Sequence, residues 1–216
     1  MVFKKRFSRI FLSYVIRDAL NLLRYGIHAP KSAQLIWLNP AAINRMVAIN
    51  KETNKRMFMP RRQFTGRILG GDWDVKTIDF ANSSKYIGCY DRYVKNISWE
   101  ETALVKGHLK KLRLQGRHSK GNTKAEILFR YAQLDDLYAT AIRDGLATRK
   151  QIHPEAFREE GGIYVHLSRD GSPIFGGGGF HRLAIAKLLN LDLIPAQLGV
   201  VHKHFWKRDG RLPKSI

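Results

Sequence analysis

A single cysteine, Cys89, stands in the whole chain, so no internal disulfide can staple the fold and stability has to come from a buried core. Acidic residues are scarce: 18 Asp and Glu face 38 Lys and Arg, a formal charge of +20 at pH 7. Such a surface attracts polyanions or anionic membranes. Proline is sparse, with seven residues. No repeat and no low-complexity tract occurs apart from one glycine run, which excludes fibrous and disordered classes. No run of about 18 apolar residues and no A-x-A-like site behind a short apolar stretch is present, so neither a spanning helix nor a cleaved signal is expected. The expected location is cytoplasmic, with peripheral attachment at the inner membrane face as an extension.

What is present is a chain of 216 residues with 44% apolar composition, enough for one well-cored domain with an appendage. The positive excess is spread along it, +11 over residues 1–108 and +9 over 109–216, which favours a structured basic surface over a cationic tail. Residues 1–26 read as a basic amphipathic helix, with Arg6, Arg9, Ser13, Arg17, Asn21 and Arg24 on one stripe and Phe7, Ile10, Phe11, Tyr14, Val15, Leu20 and Leu23 on the rest. Two roles fit it: a surface helix packed on its own domain, or a helix lying in a membrane interface with its arginines at anionic head groups. Residues 27–216 are expected to form a single α+β domain.

Within that domain Asn39-Pro40 is a helix-start signal, and Ser98 is the expected cap of a helix over WEETALVKGHLKKLRL. A longer helix is expected over 124–144, stopped by Gly145. The basic stretch 50–66, with Lys51, Lys55, Arg56, Arg61 and Arg62, reads either as a solvated loop or as the wall of a phosphate groove. Gly70-Gly71-Asp72-Trp73-Asp74 sets two carboxylates about an indole. In extended backbone both acids point one way and Trp73 the other, which suits a Mg²⁺ site or a general base beside a hydroxyl. The alternative is a Gly-Asp turn with Trp73 as a core anchor.

The most informative segment begins at Gly162. IYVHLS and SPIF, joined by Arg169-Asp170-Gly171, read as a hairpin. Gly176, Gly177, Gly178 and Gly179 then lead into Phe180-His181-Arg182 at the head of the helix LAIAKLLNL, and the strand IPAQLGVV follows. A glycine loop opening a helix offers free N–H groups and the positive dipole end to an anion, and His181 and Arg182 add side-chain donors. His166 on the first strand alternates with Tyr164 and is either a hydrogen-bonded structural residue or one facing the loop. In the tail, His202 and His204 alternate as strand neighbours would, and the cations around them suit phosphates or a membrane.

IFGGGGFHRLAIAKLLNLDLIPAQL resembles the ParB/sulfiredoxin-like superfamily, in which a strand enters a glycine-containing phosphate loop, a basic pair opens a helix, and a strand starting Ile-Pro closes the unit. The sulfiredoxin form Gly-Gly-Cys-His-Arg is matched by Gly178-Gly179-Phe180-His181-Arg182. Phe180 occupies the cysteine position, so the sulfinic-acid reductase chemistry is not carried over. The match covers residues 162–201; Gly-Gly-Asp-Trp-Asp is more loosely similar to a ParB-like branch associated with surface-polysaccharide loci. The resemblance implies a small mixed sheet with packed helices and a site for ATP or CTP, or ADP, with Mg²⁺. On it, Gly176–Gly179, His181 and Arg182 would bind the nucleotide phosphates, and Asp72 and Asp74 would be catalytic in a phosphotransferase (kinase) or NTPase acting on a hydroxyl, such as a glycan intermediate. The alternative it implies is a nucleotide-switched module binding nucleic acid, and a third reading is a scaffold without catalysis.

Overall fold

The computed structural model describes residues 2–50, 55–59 and 61–213, with side chains from residue 11 onward. The readings that rest on the side chains of Arg6, Phe7, Arg9 and Ile10, and on Lys51, fall outside the described residues. The protein is mixed α+β and falls into two compact units: residues 1–78, 147–179 and 192–216 make the first, and 79–146 with 180–191 make the second.

The first unit is built on a mixed sheet. Its strands are β1 (Leu35–Leu38), β2 (Arg45–Val47), β5 (Ile68–Leu69), β6 (Thr77–Asp79), β7 (Ile163–Leu167), β8 (Pro173–Phe175) and β9 (Ile194–His202), in the order β1-β9-β7-β8-β2-β6 with β5 also on β9. The two remaining strands, β3 (Ile49–Asn50) and β4 (Lys55–Arg56), pair only with each other. β7 and β8 form the expected antiparallel hairpin, while β7 lies parallel to β9. All five residues of β7 and all nine of β9 are buried. Alternation in IYVHLS predicts a half-exposed strand; a parallel central strand is instead covered on both faces, and His166 is carried inside with it. The Asn39-Pro40 signal is real but produces only the 3₁₀ turn Pro40–Ala42, with the Asn39 side chain accepting from Ala41 N–H.

α1 (Val2–Tyr25) docks on this unit by its polar stripe. Arg17 donates to the carbonyls of Thr65 and Arg62 at 2.9 and 3.1 Å, and Asn21 Nδ2 donates to those of Pro30 and Gly66, both at 2.7 Å. Asp18 accepts from Ser32 N–H and from Arg158. Leu23 and Ile27 are 82% and 78% exposed, and Phe11, Leu12, Val15, Ile16 and Leu22 are also exposed. Arg17 is therefore turned inward and is not among the charges a membrane would meet. The unit is completed by α2 (Arg61–Phe64), α6 (Arg149–Ile152) and α8 (Lys203–Asp209).

The second unit packs four helices, α3 (Ser84–Tyr93), α4 (Ala103–Gln115), α5 (Lys124–Asp144) and α7 (Phe180–Leu188). Side-chain caps from Ser83, Thr102 and Thr123 satisfy first-turn N–H groups of α3, α4 and α5. The cap of α4 is thus Thr102; Ser98 precedes a short 3₁₀ turn, Trp99–Glu101, and makes no cap bond. α5 has the expected limits and ends at Gly145, whose φ of 72° is glycine territory. Asp135 accepts from both Arg92 and Trp99 Nε1, and Tyr93 stacks on Tyr138 at 3.9 Å. Gly88 lets α4 approach α3: a Cβ there would lie 2.7 Å from Leu104.

Candidate functional site

The glycine run ends the hairpin of the first unit, and each glycine has a neighbour that a side chain would strike. A Cβ on Gly176 would meet His166 Nε2 at 2.5 Å, one on Gly177 the Arg56 Cδ at 2.6 Å, and one on Gly179 the Ile163 Cα at 2.7 Å. At Gly178 the Arg61 guanidinium occupies the same space. Gly177 and Gly179 also have φ of 103° and 73°, where L side chains are strained. Gly176 N–H is spent on Tyr164 O at 2.7 Å, and Tyr164 N–H on Gly178 O at 3.0 Å. So the run serves close packing at every position. Arg56 and Arg61 do not face water: both are half-buried against it, with Arg61 Nη1 donating to Gly162 O at 3.2 Å.

His166 lies fully buried beside this loop, its Nδ1 accepting from Val200 N–H at 2.9 Å. That bond puts the ring proton on Nε2, which has no hydrogen-bond partner among the described residues; the same holds for the Tyr164 hydroxyl. Burial lowers the His166 pKa to about 3, so the ring is neutral.

His181 and Arg182 sit half-buried in the first turn of α7, in the second unit. Five groups from four other segments act on His181 or on its neighbour His108: Lys85 of α3, Lys111 of α4, His118 and Lys120 from the connection before α5, and Arg130 of α5. Every one is a cation or an imidazole. Burial first, and then these charges, lower His181 and His108 to about 4 each. The rings form a chain: His118 to His108 at 4.7 Å, His108 to Tyr131 at 5.9 Å, Tyr131 to His181 at 5.9 Å. His108 Nε2, His181 Nε2 and the Tyr131 hydroxyl are buried and have no hydrogen-bond partner among the described residues. Buried ring and hydroxyl groups without a partner, set among several cations, are the makings of an anion site.

Asp72 and Asp74 do reach the same way while Trp73 goes the other. Trp73 is buried with Val47, Ile174 and Val200. Both acids end on Arg169, at 2.8 Å each. Asp74, 3% exposed, accepts from the Arg169 backbone N–H and from its Nε and Nη2. Against the desolvation that raises it, these bonds hold its pKa down at about 2. The pair ties the Gly-Gly turn to the hairpin turn. His202 is the last residue of β9 and caps α8, accepting from His204 N–H at 3.1 Å; the two are not strand neighbours.

Lys85, His108, His118, Lys120, Arg130 and Tyr131 were not legible as a site because they are single residues scattered over three helices and a connection. The one local signal was the polar break containing His118 and Lys120. No family model, no curated protein and no solved structure matches the chain.

Proposed function

We propose that the protein binds the phosphates of a nucleotide at the cluster around His181, as a member of the ParB/sulfiredoxin-like superfamily whose loop pattern residues 178–182 resemble. The observation that carries this reading is the convergence of Lys85, Lys120 and Arg130 on a half-buried His181 whose Nε2, like that of His108 and the Tyr131 hydroxyl, has no hydrogen-bond partner among the described residues. A phosphate offers acceptors to all of them and relieves their mutual repulsion. ATP, CTP and ADP are the candidates. The cluster is made of donors and supplies no carboxylate, and among the described residues no group of three His, Cys, Asp or Glu could hold a metal ion. Mg²⁺ would therefore be held through the nucleotide's own oxygens. Phosphoryl transfer needs a carboxylate at the acceptor. Asp74 is taken by Arg169, so binding is the function the geometry supports best. Calorimetry with each nucleotide and Mg²⁺ tests it: binding weakened at least tenfold by Lys120→Ala is expected, and no heat with any of the three overturns it.

The location reading gains from one observation, the exposed Phe11, Leu12, Val15, Leu22, Leu23 and Ile27 side of α1 on a chain of charge +20. No helix among the described residues is long and apolar enough to cross a membrane. An apolar helix face on a basic protein is the combination that binds an anionic interface. The test is co-sedimentation with phosphatidylglycerol vesicles: wild type pelleting and Leu12→Asp/Leu23→Asp staying in solution supports attachment, and equal behaviour of the two overturns it.

A further inference from the structure

The first unit holds a cavity of about 560 Å³ lined by residues from α2, from α6 and the chain that follows it, and from β9. Its deepest feature is Gln197 on β9, 1% exposed. The Gln197 Oε1 accepts from Gly161 N–H at 3.1 Å, which fixes the amide orientation and makes the other terminal atom a donor. That donor, Nε2, is buried and has no hydrogen-bond partner among the described residues. Leaving it so costs about 1–3 kcal/mol, a cost a ligand acceptor would remove.

Three guanidiniums share the wall, and that of Arg62 is paired with Glu160. Arg149 lies over Gly161, where a Cβ would be 3.4 Å from its Nε, and that Nε is also buried without a partner. Arg61 has one N–H committed to Gly162 O and lines the same cavity. Of the two carboxylates on the wall, Glu160 is paired with Arg62, and Glu155 is an exposed group at 3.7 Å from His153. Gln197 Nε2 and Arg149 Nε are the buried polar atoms of the wall that have no hydrogen-bond partner among the described residues. Arginine forks match the oxygens of a phosphate bidentately. The volume exceeds a bare oxyanion and is in the range of small-molecule sites, and Phe157 and Met59 supply apolar wall for a body.

We propose that this cavity is a second ligand site, independent of the His181 cluster, that takes the phosphate head of a small organic phosphomonoester on Gln197 Nε2, Arg149 and Arg61. Titrations use the full-length His181→Ala variant, so that the other cluster is disabled, with glycerol 3-phosphate, inorganic phosphate and glycerate as probes. Glycerol 3-phosphate should bind at least tenfold more tightly than inorganic phosphate. Arg149→Ala added to that background should weaken it at least tenfold, and Lys150→Ala, an exposed neighbour that does not line the cavity, should leave it unchanged. Thermal unfolding confirms that each variant is folded. Absence of glycerol 3-phosphate binding, equal loss with Lys150→Ala, or no loss with Arg149→Ala overturns the proposal, and tighter glycerate binding overturns the choice of phosphate. None of these outcomes touches the nucleotide reading, which is measured on wild type and Lys120→Ala.

Discussion

The turn at Asp74 and the first turn of α7 are both rich in charge, yet they hold it in opposite ways. Around Asp74 every charge has its complement: Arg169 spans both acids, and Trp73 beneath them is packed in the sheet core. Around His181 the charges that act on its ring and on His108 are all cations or imidazoles, and burial, the larger cause, has already pushed both rings towards the neutral form. A satisfied ion network leaves no unpaired charge for a ligand to meet, and breaking it is what costs stability. A cluster of unmatched donors is a liability in the empty protein that a ligand turns into affinity. The same composition therefore yields a structural clamp in one place and a candidate site in the other.

That contrast can be broken by substitution. The largest effect belongs to the clamp: Asp74→Asn leaves Arg169 beside a weaker acceptor and should lower unfolding stability by about 3 kcal/mol, measured by urea denaturation, with nucleotide affinity unchanged. Lys120→Ala should do the reverse. Removing one repelling cation leaves stability equal or higher, while affinity falls about tenfold, or 1.4 kcal/mol; Arg182→Ala should weaken binding by about 1.5–3 kcal/mol, the scale of a charge-assisted hydrogen bond. A loss of stability and no loss of affinity in Lys120→Ala would make the two regions alike.

Acidity sharpens the comparison, because the two regions respond in different windows. Asp74 has its folded pKa depressed to about 2 from an ordinary value near 3.8. Its contribution is complete above pH 4 and is lost as pH falls through 4 towards 2, on the order of 2 kcal/mol in all. His181 is depressed from 6.5 to about 4, so the fold favours its neutral form, and this contribution to stability declines as pH falls from 6.5 towards 4. A bound phosphate raises that pKa back towards 6.5, so binding takes up a proton and tightens as pH falls from 6.5 towards 4. Calorimetry in buffers of different ionisation enthalpy reads the proton directly; buffer-independent heat would remove His181 from the site. The smallest effect is at Tyr131. Tyr131→Phe removes a buried hydroxyl that has no partner among the described residues and should raise stability by about 1 kcal/mol, while weakening nucleotide binding by a small measurable factor.

α1 shows a similar divide. Truncating residues 1–25 looks from the sequence like a clean test of membrane attachment. In the fold it would also strip the Arg17, Asp18 and Asn21 contacts to the loops near Ser32 and Gly66, so point substitutions on the exposed face are the better instrument.

The sequence by itself determined the elements whose signals are local: α5 between its cap and Gly145, the β7–β8 hairpin about Asp170-Gly171, α7 after the glycines, and β9. Capping, left-handed glycine and hydrophobic period act within a few residues, so these elements did not wait on distant partners. The sequence left residues 70–74 open between an extended segment and a turn, and the fold has the turn, with Trp73 in the core. Only the tertiary structure decided what those placements meet. Periodicity marks which face of α1 is apolar, but not that its polar face is the one covered, because that depends on carbonyls of Thr65 and Gly66 some 45 residues away. It marks four glycines as permissive, but not that Arg56 and Arg61 lie on them. And the cations around His181 become a cluster only when α3, α4, α5 and α7 pack, since electrostatic convergence is a property of distances that a linear chain does not carry.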